Sequence, residues 1–309
     1  MGFLSVGMLA PDLGVAADLE QKIQIGSIER SYVVHLPRSA PDGHDMPLVL
    51  VLHGAGGDAQ IAARQTRFSD EADRESFVVA YPEGTDRFRP LMYLIGKRGF
   101  LTWNAGGCCG YAMDHHIDDV GFLRAVVAKV ERDYPIDHRR VYAAGMSNGG
   151  MMAYRLACEA SDIFATVGVV SGVLVTPSCA PRDPVSVIDF HGTDDQYVPI
   201  NGGVGRKSLT GIKFPPVQDS ILFWVRRDEC QAQPQTARAP EGVLIFEYDE
   251  CRTGTAVSYY VIEGGGHAWP GREQILSIFD PQPTVISASS VIWRFFAAHP
   301  KPAKPEPKR

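Results

Sequence analysis

Arg140-Val141-Tyr142-Ala143-Ala144-Gly145-Met146-Ser147-Asn148-Gly149-Gly150-Met151-Met152-Ala153-Tyr154-Arg155-Leu156-Ala157 is the stretch whose reading decides the fold. Its first five residues read as a short buried strand, and the run from Met151 reads as a helix. Between them lies Gly145-Met146-Ser147-Asn148-Gly149, a Gly-x-Ser-x-Gly pentapeptide. A strand, a tight turn and a helix are the context in which this loose pattern becomes a nucleophile elbow. Such a turn needs small neighbours, and Gly145, Gly149 and Gly150 supply them. Ser147 Oγ is then expected to stand clear of the sheet at the start of a helix. The bland alternative is a glycine-rich strand-to-helix turn with an idle serine.

Outward from this point the apolar pattern alternates between two kinds of element. Lys22–Ile25 and Ser31–Leu36 read as a hairpin turning at Gly26-Ser27. Leu48–Leu52, Phe77–Tyr81, Val141–Ala144, Ala165–Val170, Val185–Phe190, Val243–Tyr248 and Val257–Ile262 read as further strands. Helical patterns fall at about 59–75, 119–132, 148–159, 217–228 and 286–298. Strands alternating with helices predict an α/β class with a mostly parallel central sheet covered on both faces. Thr85 to His116 is different, being rich in glycine and aromatics, and it reads as a long excursion over the active edge of the sheet.

The chain has 309 residues, 45% apolar and 21% charged, which fits a globular domain with a sizeable core. Its net charge of −6, with no basic stripe, argues against nucleic acid as a partner. No apolar run approaches the roughly 20 residues of a membrane span. Residues 1–17 read as a signal remnant or a disordered tail, 18–299 as a single catalytic domain, and 300–309 as a disordered Pro/Lys-rich tail. Six cysteines allow a disulfide framework, and position suggests Cys158 with Cys179 and Cys230 with Cys251, each pair 21 residues apart. Cys108 and Cys109 are left as neighbours, joined or free. Disulfides favour a secreted or periplasmic protein.

A serine nucleophile needs a base and an acid to orient that base. His191-Gly192-Thr193-Asp194-Asp195 follows an apolar strand, so an acid stands at its carboxyl end; Asp195 is preferred over Asp194. Gly264-Gly265-Gly266-His267 follows Val257–Ile262, and His267 is the candidate base. His53 and His191, each before a glycine at a strand end, read as structural. The backbone N–H groups of Asn148 and Ala55, the latter in His53-Gly54-Ala55-Gly56-Gly57, are the candidate oxyanion donors. Asp114-His115-His116-Ile117-Asp118-Asp119 holds metal-ligating residue types at no standard spacing, and Asp118 or Asp119 reads better as a helix N-cap. No metal site is expected.

These pieces together resemble the polyhydroxybutyrate depolymerase and feruloyl esterase group of α/β-hydrolases. The matching segments are Val51-Leu52-His53-Gly54-Ala55-Gly56-Gly57, Trp103 to Gly110, Asp118 to Phe122, Gly145 to Gly150, His191 to Pro199, and Gly265-Gly266-His267-Ala268-Trp269-Pro270-Gly271. The resemblance covers roughly residues 20–298. It implies an α/β-hydrolase fold, an acid four residues after His191 (Asp195), His267 as base, ester cleavage through an acyl-enzyme, polymeric or oligomeric ester substrates, and no cofactor. Ala268 departs from the family's frequent threonine. Trp103 and Trp269 are expected either to line the cleft as aromatic platforms or to pack within loops. One alternative keeps the triad and cleaves amide bonds of a polyanion such as poly(aspartic acid); Arg87, Arg89, Lys97, Arg98, Arg206 and Lys207 are its candidate cationic contacts. A second is a non-catalytic binding protein on the same fold.

Overall fold

The structure is a computed structural model and describes residues 17–39, 44–87, 99–208, 210–239, 242–252, 254–271 and 286–302. In chain order its elements are β1 (Ala17–Ile25), β2 (Ile28–Leu36), β3 (Met46–Leu52), α1 (Ala59–Thr66), α2 (Phe68–Glu75), β4 (Val78–Pro82), α3 (Gly110–Asp114), α4 (Asp119–Asp133), β5 (Ile136–Met146), α5 (Asn148–Glu159), β6 (Thr166–Val170), β7 (Ser186–Gly192), α6 (Val217–Arg227), β8 (Gln235–Ala239), β9 (Val243–Tyr248), β10 (Val257–Ile262) and α7 (Ala288–Ala298).

Every residue of β3 is buried. An unbroken apolar run behaves this way when both faces of a strand are covered. Leu48, Leu50 and Leu52 join the core that includes Val126 of α4, Leu156 of α5 and Trp224 of α6. Val49 and Val51, pointing the other way, join Ala62 of α1, Phe68 of α2 and Ile292 of α7. The helices therefore sandwich one ten-stranded sheet, ordered β1-β2-β4-β3-β5-β6-β7-β10-β9-β8. The pairings from β4 across to β10 are parallel. Antiparallel strands extend both flanks. The expected α/β class and parallel centre are borne out.

Several boundaries shift, for local reasons. The predicted helix over 59–75 is two helices, broken at Arg67, which takes φ 50°. Thr66 causes the break: its hydroxyl donates to Ala62 O at 2.8 Å and accepts from the Phe68 N–H at 3.4 Å. Strand β8, Gln-Thr-Ala-Arg-Ala, carries no apolar alternation and forms by pairing with β9. Ala17, expected in a tail, opens β1. Lys301, likewise expected in a tail, is tied down: its N–H donates to Arg139 O at 2.9 Å. Arg139 Nε returns a bond to Lys301 O at 3.0 Å. The signal-remnant reading of residues 1–16 and the tail reading of 303–309 fall outside the described residues.

All six cysteines are paired: Cys158–Cys179, Cys230–Cys251 and the adjacent Cys108–Cys109. The first ties the last turn of α5 to the loop after β6, and the second ties the chain after α6 to the chain after β9. Among the described residues no helix is long and apolar enough to cross a membrane.

Candidate active site

The carboxyl ends of the parallel strands converge on one edge, where loops from β3, β5, β7 and β10 meet. At the end of β5 the chain reverses into α5 through Ser147, which holds φ 54° and ψ −123°. A non-glycine residue survives there only when its surroundings hold it. The Ser147 N–H donates to Val170 O at 2.8 Å, and α5 begins at the next residue. A Cβ on Gly149 would run into the carbonyl oxygens of Leu52 and His53, so the turn can pack against β3 only with glycine at this position. Asn148 is the first residue of α5, and its backbone N–H has no acceptor within the helix.

The Asn148 side chain latches a second loop. Its Oδ1 accepts from the Trp103 N–H at 2.7 Å and its Nδ2 donates to Trp103 O at 3.0 Å. That loop is pinned further by Asp119. Asp119 Oδ2 accepts from the Asn104 N–H at 2.8 Å, and its Oδ1 meets Arg30 Nη2 at 2.7 Å in a fully buried ion pair. Asp118, not Asp119, caps α4 by accepting from the Gly121 N–H at 2.8 Å.

His267 lies five residues past β10 and is 2% exposed. Its Nδ1 stands 2.7 Å from Asp195 Oδ2. Asp195 Oδ1 accepts from the N–H groups of Tyr197 (2.9 Å) and Val198 (2.8 Å). Burial pushes the Asp195 carboxyl up, but His267, His191 and the Val198 N–H outweigh it and leave it below the usual range. An ionised carboxylate only accepts, so His267 Nδ1 carries the proton and donates it. Nε2 is then the basic nitrogen. Tyr197 stands with its ring centroid 4.9 Å from the imidazole.

Two other histidines at strand ends serve structure, as their positions suggested. His53 Nε2 accepts from the Gly84 N–H at 3.0 Å, so its Nδ1 donates to Gly54 O at 2.8 Å. Burial lowers its pKa to about 4, keeping it neutral. His191 Nε2 donates to Val198 O at 2.8 Å, fixing the turn that carries Asp195. Gly54 brings the loop after β3 beside the elbow: a Cβ there would sit 3.5 Å from that of Ser147.

Ser147, His267, Ala55 and Asn148 line one cavity of about 400 Å³. The rest of its wall is mainly apolar, including Ile61, Phe100, Met151, Phe214 and the Cys108–Cys109 pair, with Gln65, Ser208 and Thr210 among the polar exceptions. Trp103 and Trp269 are not on this wall. They are 0% and 1% exposed. Trp103 Nε1 donates to His53 O at 2.9 Å and Trp269 Nε1 to Ser289 Oγ at 2.9 Å. Both indoles find a buried acceptor, which settles them in the interior as loop packing. Phe100 and Phe214 line the chamber instead. Phe100 sits in the glycine- and aromatic-rich excursion, the only sequence signal that pointed to it; Phe214 gave none. Of the candidate cations, Arg87, Arg206 and Lys207 do not line the cavity, and Arg89, Lys97 and Arg98 fall outside the described residues. Among the described residues no group of three or more His, Cys, Asp or Glu is placed to hold a metal ion.

Comparison with known proteins agrees with this architecture. "Probable feruloyl esterase C" of Aspergillus clavatus is 31% identical over 273 residues, covering 87% of this chain and 84% of the relative. "Feruloyl esterase B" of Piromyces equi is 27% identical over 248 residues, covering 77% of this chain and 42% of that longer protein. The solved acetyl xylan esterase from Aspergillus awamori superposes with a TM-score of 0.61 at 12% identity, over 91% of this chain and 99% of that one. Residues 30–220 match the Esterase PHB depolymerase family, and the chain belongs to it, a carboxylic-ester hydrolase on the α/β-hydrolase fold.

Proposed function

We propose that the protein is a secreted or periplasmic serine esterase that removes acyl groups from polysaccharide side chains or related oligomers. The observation that carries this is the shared chamber: Ser147 on its positive-φ turn and His267 with Nε2 left basic by Asp195 line the same apolar cavity. Ser147 Oγ attacks the ester carbonyl while His267 Nε2 takes its proton. The Asn148 and Ala55 N–H groups receive the oxyanion, each contributing about 3 kcal/mol to the transition state. His267 returns the proton to the leaving alcohol, and a water activated the same way frees the acyl group. Asp195 holds the tautomer and stabilises the imidazolium.

The relatives named for feruloyl and acetyl xylan esters support the substrate class, and the apolar wall suits a bulky acyl group. The polyanion-amide reading has less support, because no Lys or Arg is among the described residues lining the cavity. Three disulfides favour an oxidising compartment. The test is hydrolysis of methyl ferulate, acetylated xylan, a 3-hydroxybutyrate oligomer and poly(aspartic acid) by wild type and Ser147→Ala. Turnover of an ester, lost by at least a thousandfold in the variant, is expected (about 10³ or more). Retention of most activity by Ser147→Ala, or cleavage of poly(aspartic acid) alone, counts against it.

A further inference from the structure

A second cavity, of about 380 Å³, opens at the same edge of the sheet. Strand β2 runs antiparallel to β4, with Tyr32 opposite Pro82, so the start of β2 lies beside the carboxyl end of β4. Strand β3 is parallel to β4, so its carboxyl end and the loop lining the first cavity point the same way. Among the described residues, the segment 99–111 contributes to the walls of both spaces. Phe100, Cys108 and Cys109 line the first cavity, while Tyr111 lines the second. Thr102 in the strip pairs with Thr85 on the second cavity's wall.

The lining chemistry differs sharply from the apolar chamber. Lys22, Glu29, Arg30, Asp86 and Arg87 bring charges of both signs beside the Tyr111 ring. A wall of mixed sign suits neither a polyanion nor a polycation. It suits a neutral ligand rich in hydroxyls, each of which donates to a carboxylate and accepts from a guanidinium or ammonium group. Arg30 is 1% exposed and is held from behind: its Nη2 donates to Asp119 Oδ1 at 2.7 Å and to Glu83 O at 3.0 Å, and its guanidinium lies 3.9 Å from the centroid of the Phe122 ring. Tyr111 stacks on His115 with centroids 4.0 Å apart, which braces it as a flat apolar surface for the C–H face of a pyranose or furanose ring.

We propose that this cavity is a glycosyl site that holds a neutral sugar unit of the alcohol part while the acyl group occupies the apolar chamber. Its link to catalysis rests on the esterase reading; sugar binding itself does not. The experiment therefore has two arms. In the first, Ser147→Ala is titrated calorimetrically with xylohexaose, an unacylated oligosaccharide, and compared with the same protein carrying Tyr111→Ala, Tyr111→Phe or Arg87→Ala. Saturable binding, weakened about tenfold by Tyr111→Ala or Arg87→Ala (about 1.4 kcal/mol) and kept by Tyr111→Phe, is expected. Absence of saturable binding, or equal affinity in all folded variants, overturns the proposal. In the second, Tyr111→Ala in the active enzyme should raise KM for a feruloylated arabinoxylo-oligosaccharide several-fold more than for methyl ferulate. Equal changes on both esters overturn the coupling. An enzyme that cleaves no ester sinks the esterase reading alone, and the titration still decides the sugar site.

Discussion

Asp195 is held by the Tyr197 and Val198 N–H groups and His267, with His191 3.5 Å away. Asp195→Asn keeps the shape and loses the charge that selects the His267 tautomer. Its kcat should fall roughly ten-thousandfold with little change in folding; initial rates on an ester already turned over by wild type check this. Asp189, at the middle of β7, is a different kind of buried acid. Burial raises its pKa to about 8, only partly countered by the Tyr154 hydroxyl donating to it at 2.7 Å. The unfolded chain releases this proton near pH 3.9. Between about pH 4 and pH 8 the folded state therefore binds the extra proton, and its stability falls as pH rises. Asp189→Asn leaves Tyr154 an acceptor and removes the titration. Its Tm should gain on that of wild type as the buffer moves from about pH 5 to about pH 8, and parallel melting curves would refute the assignment.

At the scale of elements, the strip from residue 99 to 119 matters most because it forms walls of both cavities. Asp119 anchors it through the Asn104 N–H and pairs with Arg30, both buried. Asp119→Ala strands a guanidinium in the interior, which costs about 3–5 kcal/mol; urea denaturation should show the loss. Replacing Cys158 and Cys179 by serine removes a 21-residue cross-link. Stability should drop by about 3 kcal/mol, read as a lower Tm that added reductant does not lower further through this bond. Elements with strong periodicity were readable in the chain. The β3 run and α5, both core elements, lie where apolar spacing put them. The two 21-residue disulfides also match their expected partners. What escaped depended on hydrogen bonds that apolar spacing does not encode. β8 exists only because β9 offers an edge, and the break at Arg67 depends on one threonine hydroxyl. The sequence left both tryptophans open between lining the cleft and packing within loops. Their N–H groups found acceptors at His53 and Ser289, which no local pattern announces.

Across the whole molecule, the sheet separates chemistry from support. The loops that follow β3, β5, β7 and β10 carry the site at one edge, and the two flanks end in strands with charged residues such as Lys22 and Arg238, which discourage edge-to-edge association. The helix α7 fills the face opposite α5, and the described chain then reaches the other edge at Lys301. His299 O accepts from Thr166 Oγ1 at 2.7 Å at the start of β6, and Lys301 bonds Arg139 near the start of β5. Ser147 lies eight residues after Arg139, just past the end of β5, about 26 Å away along an extended strand. A surface coupled to the carboxyl terminus would therefore hold the enzyme with its mouth turned outward. Beads loaded by a C-terminal handle should digest a bulky polysaccharide ester nearly as well as the free enzyme does. Beads loaded through random lysines, which include Lys22 beside the second cavity, should favour small esters.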